Sequence, residues 1–246
     1  MSLKNIFNKL EFFYGKEGIF SVILVGSATS NKDYNDIDIL IFVDNINLVT
    51  KYLTEFSIIL NENYIICDDS YRFLINKNEE VSIVFQVKND FLKKINGILK
   101  GKDIYRRYRN WTVGGFFPES LLKDIEKATL LWEDSNHILK NIQNKINKKK
   151  DHFFNIFSKS LEEEIRLKLS YYNNSYNLVF RNTLVNDLQV ATIRLMFAKE
   201  KMFFPSLKRY NKEILKMSNK SREIINGIEN IDNFIKNLLK DETFSF

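Results

Sequence analysis

Residues 20–43 read Phe-Ser-Val-Ile-Leu-Val-Gly-Ser, a polar loop, then Asp-Ile-Asp-Ile-Leu-Ile-Phe-Val. Continuous apolar runs of this length, bounded by turn residues, suit strands buried on both faces rather than surface helices. The second run begins with two acids at alternate positions. Side chains alternate along a strand, so Asp36 and Asp38 share one face while Ile37 and Ile39 take the other. The apolar pair joins a core. The acidic pair repels itself unless a cation sits between the charges. A hard divalent ion shared between carboxylate and phosphate oxygens answers that need, and Mg²⁺ is the usual one. Gly26 and Ser27 close the preceding strand. Glycine admits close backbone approach to a ligand, and turn N–H groups with the Ser27 hydroxyl can hold phosphate oxygens. A phosphate cradle beside paired carboxylates is equipment for nucleotidyl transfer.

The surrounding pattern extends this reading. Ile6, Leu10 and Phe13 recur at helical spacing, and residues 47–56 return to that period. Residues 58–87 alternate apolar and polar side chains between Asn-rich turns, which predicts an antiparallel meander ending in Val81–Val87. From about residue 119 the strand signals stop. Residues 119–133, 153–172, 176–201 and 221–240 are amphipathic, which predicts a helical bundle. The expected class is α+β: a small mixed-sheet head at 1–118 and a helical domain at 119–246. The polar run Asn144–Lys150 marks a candidate joint, with an alternative near residue 112.

Composition removes several classes. One cysteine, Cys67, allows no intrachain disulfide and no cysteine-based zinc site. The two histidines, His137 and His152, exclude a His-rich metal centre, and neither has a partner nearby in sequence. No apolar run approaches the ~20 residues of a membrane span, and the charged N-terminus is unlike a signal peptide. A cytoplasmic location without membrane contact is therefore expected. The net charge is +6, and residues 88–109 alone carry it, with eight cations against two acids. Within that segment Tyr105–Trp111 interleaves arginines with aromatics, a pattern suited to phosphate contact and base stacking on RNA. Solvated helix charge is the plainer reading for any single lysine there. Glu162–Glu164 follow Ser160 as though opening a helix, where acids suit the helix dipole. Tyr171, Tyr172, Phe153 and Phe154 read as core aromatics.

The strand, Gly-Ser, spacer, Asp-Ile-Asp, strand arrangement resembles the polymerase-beta superfamily of nucleotidyltransferases, strongly over residues 20–43 and loosely over 44–87. That resemblance implies Mg²⁺ held by Asp36 and Asp38, an NTP donor held through Gly26 and Ser27, and a third carboxylate on a later strand. The aligned position is Ser82, which is not an acid. Glu80, two residues earlier on the same expected face, is the candidate replacement; the rival reading is that the third acid is missing. The head-plus-helices layout is similar to bacterial nucleotidyltransferases that modify lincosamides and aminoglycosides. In that comparison Trp111–Glu119 and Phe203–Lys208 match short segments, and Lys208 is implied to reach the nucleotide phosphates. The resulting expectation is transfer of NMP, with AMP preferred, to a hydroxyl of a small molecule such as an antibiotic. Two alternatives stand beside it: a toxin-like enzyme acting on RNA or tRNA through residues 88–109, and an inactive antitoxin-like binding protein.

Overall fold

The computed structural model describes residues 3–29, 36–67, 70–76, 79–102, 117–205, 210–228 and 231–240. The chain divides into two compact units, Met1–Ile98 with Tyr105–Lys148, and Leu99–Ile104 with Lys149–Phe246.

The first unit is built on one mixed sheet. In chain order its elements are α1 (Leu3–Leu10), β1 (Ile19–Val25), β2 (Asp36–Val43), α2 (Val49–Leu60), β3 (Tyr64–Cys67), β4 (Ser70–Asn76), β5 (Glu79–Val87), α3 (Lys88–Leu99), α4 (Pro118–Glu126), β6 (Thr129–Glu133) and the start of α5 (Ile138–Asn174). The strand order is β3-β4-β5-β2-β1-β6. Only β2 and β5 run parallel among these pairs; the other neighbours are antiparallel. The two apolar runs are strands β1 and β2; Tyr64–Cys67, Ser70–Asn76 and Glu79–Val87 form the expected meander, while residues 58–60, expected to open it, end α2 instead.

Each face of β2 has its own cover. Ile37, Ile39, Ile41 and Val43 join Val81, Ile83 and Phe85 of β5 in a core with Ile6 and Leu10 of α1 and Leu53 and Phe56 of α2. Phe56 packs edge-on to Phe73 of β4 with ring centroids 5.4 Å apart. On the opposite face Leu40 and Phe42 are equally buried, and Phe42 meets Phe91 of α3 at 5.0 Å. Burial on both faces explains why the strands read as unbroken apolar runs. Asp36 and Asp38 occupy the start of β2, on the face that carries Leu40 and Phe42 further along.

Residues 129–133 depart from the helical expectation. Helix α4 stops at Glu126, and β6 pairs along the otherwise open edge of β1, with Val22 opposite Trp132 and Leu24 opposite Thr129. The Gln143 amide donates to the carbonyls of Ile125 and Ala128, both at 3.1 Å, so the end of α4 is satisfied without a glycine cap. Trp132 then stacks on Tyr14 at 5.8 Å. A five-residue strand that follows a helix without Gly or Pro leaves no break in the periodicity.

The regular elements among the described residues of the second unit are all helices: the rest of α5, α6 (Leu178–Lys199), α7 (Tyr210–Ile214), α8 (Asn219–Gly227) and α9 (Ile231–Lys240). Phe153 and Phe157 stack at 5.1 Å, and Phe203 closes on Phe154 at 5.0 Å. Residues 144–150 are helical, because Ile142, Ile146 and Phe153 continue one apolar stripe through the lysines. Glu162–Glu164 consequently lie mid-helix and open nothing. Glu162 pairs with Lys199 at 3.2 Å and Glu164 with Lys168 at 2.6 Å. Tyr171 is not core but half exposed, and Tyr172 lies beneath the Arg181 guanidinium. Among the described residues, no helix is long and apolar enough to cross a membrane.

Candidate active site

The site candidates of the first unit gather where β1 ends and β2 begins. Gly26 follows β1 with φ +76°, a conformation that glycine adopts without penalty. The chain then enters a 3-10 turn over Ser27–Thr29, and the Thr29 hydroxyl donates to the Gly26 carbonyl at 2.9 Å. The antiparallel register sets Val25 opposite Asp38, which brings this bend against the carboxylate. A Cβ built on Gly26 lies 2.3 Å from Asp38 Oδ2 and 3.1 Å from its Cγ. No side chain fits there with Asp38 in place. Gly26 thus serves two needs, the left-handed backbone and the space the carboxylate fills.

Register also fixes what faces the acids from the other side. In the parallel pair, Asp36 lies opposite Glu80 and Asp38 opposite Ser82. In the next pair, Arg72 lies opposite Ser82. Partners in register share a face, so Val25, Asp38, Ser82 and Arg72 form one row across four strands. Asp36 and Glu80 form a second row beside it. Ser82 is buried. Glu80 forms an ion pair with Arg72, Oε1 to Nη1 at 3.5 Å. Glu80 therefore lies on the carboxylate face, with Arg72 as a partner.

Arg72 was not among the candidates read from the sequence. The signal was present, since Arg72 is the sole charge in Ser70–Asn76, but the pairing of β4 was needed to bring it to this face. Other candidates lie outside the described residues: Lys208, Trp111–Phe116, and Arg106, Arg107 and Arg109 of the basic segment. The same holds for the Ser27 side chain, whose backbone opens the 3-10 turn. Of the described basic residues, Lys88 sits 3.8 Å over the Phe20 ring and Lys93 pairs with Asp90 at 3.4 Å.

Among the described residues, no three His, Cys, Asp or Glu side chains gather to hold a metal ion. A protein-only cage is not what Mg²⁺ requires. It is commonly held by one or two carboxylates with substrate phosphates and water completing the shell. Asp36 and Asp38 on one strand face, beside a bend with no Cβ, fit that requirement.

No protein-family model matches the sequence, and no curated protein matches it. Several solved structures resemble the chain over most of its length at low identity. A nucleotidyltransferase-like protein from Exiguobacterium sibiricum 255-15 is 9% identical with a TM-score of 0.44, covering 96% of this chain and 74% of that one. A CCA-adding enzyme in complex with CTP is 14% identical with a TM-score of 0.37, covering 95% and 53%. A CCA-adding enzyme in complex with ATP is 10% identical with a TM-score of 0.35, covering 97% and 70%.

Proposed function

We propose that this chain is a Mg²⁺-dependent nucleotidyltransferase that moves NMP, with AMP preferred, from an NTP to a hydroxyl of a small acceptor. The observation that carries this reading is the close fit of Gly26 against Asp38, with Asp36 on the same strand face. Asp36 and Asp38 would hold the metal. When bound, it neutralises phosphate charge and makes the acceptor hydroxyl more acidic. The Gly26–Thr29 bend offers backbone N–H groups to the leaving phosphates. The acceptor oxygen forms a bond to the α-phosphorus while the bond from that phosphorus to its bridging oxygen breaks. Pyrophosphate leaves with the electron pair. Glu80, on the opposite side of β2 from the bend, takes the hydroxyl proton. Asp36, Asp38, Glu80 and the Gly26–Thr29 bend all belong to the first unit.

The test supplies purified protein with Mg²⁺ and each α-labelled NTP in turn, against total RNA in one arm and a panel of antibiotics in the other. Asp38→Asn should lose at least a hundredfold in label transfer while its denaturant midpoint stays near the parent value. Full turnover by Asp38→Asn overturns the assignment. Label in RNA instead of a small molecule replaces the acceptor class with the toxin-like alternative. No label anywhere favours the binding-protein alternative.

A further inference from the structure

We propose that the acceptor carries a phosphate group and that Arg72 binds it; this rests on the nucleotidyl-transfer reading and names the acceptor class. The bend that receives the donor phosphates lies at the end of β1, on one side of β2. Attacking and leaving oxygens in phosphoryl transfer lie roughly in line. With the leaving group toward β1, the acceptor approaches over β5 and β4. That face carries Glu80 and Arg72, with the exposed Leu74 opposite Glu80, the exposed Ile65 opposite Arg72, and Ser82 buried between the strands.

Arg72 is two strands from Asp38, roughly 10 Å between backbones at ordinary strand spacing. That distance leaves room for a sugar-sized body whose hydroxyl lies at the carboxylates and whose phosphate lies at the guanidinium. The donors are available. Arginine has five N–H groups in a planar fork suited to phosphate. The Glu80 contact, at 3.5 Å, is an ion pair beyond ordinary hydrogen-bond length. Arg72 Nε is buried with no hydrogen-bond partner among the described residues. Nε itself is closed to solvent, so a phosphate would meet the Nη groups of the fork. The Arg72 side chain is 37% exposed, so the fork can be reached. A phosphate on Arg72 also competes with Glu80 for the guanidinium, which frees the carboxylate for the hydroxyl proton. A polycationic aminoglycoside meets a fixed positive charge on this side and is a poor acceptor.

The experiment measures transfer from α-labelled ATP with Mg²⁺ to four acceptors: a single-stranded oligoribonucleotide, a nucleoside 5′-monophosphate, the unphosphorylated nucleoside, and an aminoglycoside. The first two separate a polynucleotide source of the phosphate from a free one. Parent, Arg72→Gln, Arg72→Lys and Glu80→Gln are compared. Arg72→Gln should raise KM for the preferred phosphate-bearing acceptor at least tenfold and leave KM for ATP within about twofold. Arg72→Lys should recover part of the loss, and Glu80→Gln should lower kcat without raising acceptor KM. Equal use of the nucleoside with and without its phosphate overturns the inference while leaving nucleotidyl transfer standing. So does an acceptor KM untouched by Arg72→Gln. Absence of both ATP binding and transfer in the parent overturns the underlying reading and the inference with it.

Discussion

Replacing Gly26 by alanine tests whether the bend and the carboxylate are one device. Two penalties combine. The left-handed backbone at φ +76° costs a β-carbon residue about 1–2 kcal/mol. The new methyl also lies 2.3 Å from Asp38 Oδ2, about 1 Å inside a tolerable contact. Turning Asp38 off its rotamer to relieve this adds roughly 0.5–1.5 kcal/mol. The expected destabilisation is about 1.5–3.5 kcal/mol, measured by urea denaturation. Gly15 supplies an internal control. It has φ +68°, but a Cβ there meets nothing within 4 Å. Gly15→Ala should show the backbone penalty alone, about 1–2 kcal/mol, with unchanged turnover. A displacement of about 1 Å at a reacting group costs on the order of a hundredfold in rate, so Gly26→Ala should lose about that much in label transfer beyond Gly15→Ala. If the two alanine variants are equally active, the Asp38 carboxylate is not needed where it sits, and the geometric argument for the site fails.

Two further predictions concern the scaffold. Glu200 accepts hydrogen bonds from the hydroxyls of Ser218 and Ser221, the latter at 2.6 Å, and these hold its carboxyl below the ordinary range. A carboxyl with a depressed pKa adds stability above its unfolded pKa and loses it as pH falls through the folded value. Stability of the parent should therefore fall on acidification below the ordinary carboxylate range more steeply than that of Glu200→Gln, measured by denaturant midpoints across pH; parallel profiles would refute the linkage. Gln143→Ala removes the side-chain donor from the carbonyls of Ile125 and Ala128, the former keeping the Ala128 N–H, and should cost about 0.5–1.5 kcal/mol. The loss should appear as faster amide exchange across the α4–β6 turn.

What the sequence disclosed follows from how far apart the interacting residues lie. β1, β2 and the acidic alternation were legible because each is a local pattern: unbroken apolar runs for strands covered on both faces, and an i, i+2 spacing for Asp36 and Asp38. The alignment of Glu80 with Asp36 could be anticipated by counting along β5 from Ser82. Arg72 could not, because its place depends on which strand lies beyond β5 and in what register. β6 is hidden for a similar reason. Thr129–Glu133 are a strand because β1 has an edge to fill, a tertiary demand that no five-residue window records. The helical character of residues 144–150 is hidden because a lysine-rich stretch masks Ile142 and Ile146 on the buried side of α5, although the boundary between the two units does fall within that stretch.

The lateness of β6 has a consequence for how the protein is made. On a ribosome, β1 emerges more than a hundred residues before the strand that covers its outer side. During that interval the most apolar stretch of the sheet presents bare amide and carbonyl groups to any neighbouring chain. Any shortened version ending before Thr129 keeps that exposure permanently, and precipitation rather than loss of chemistry would be its first symptom.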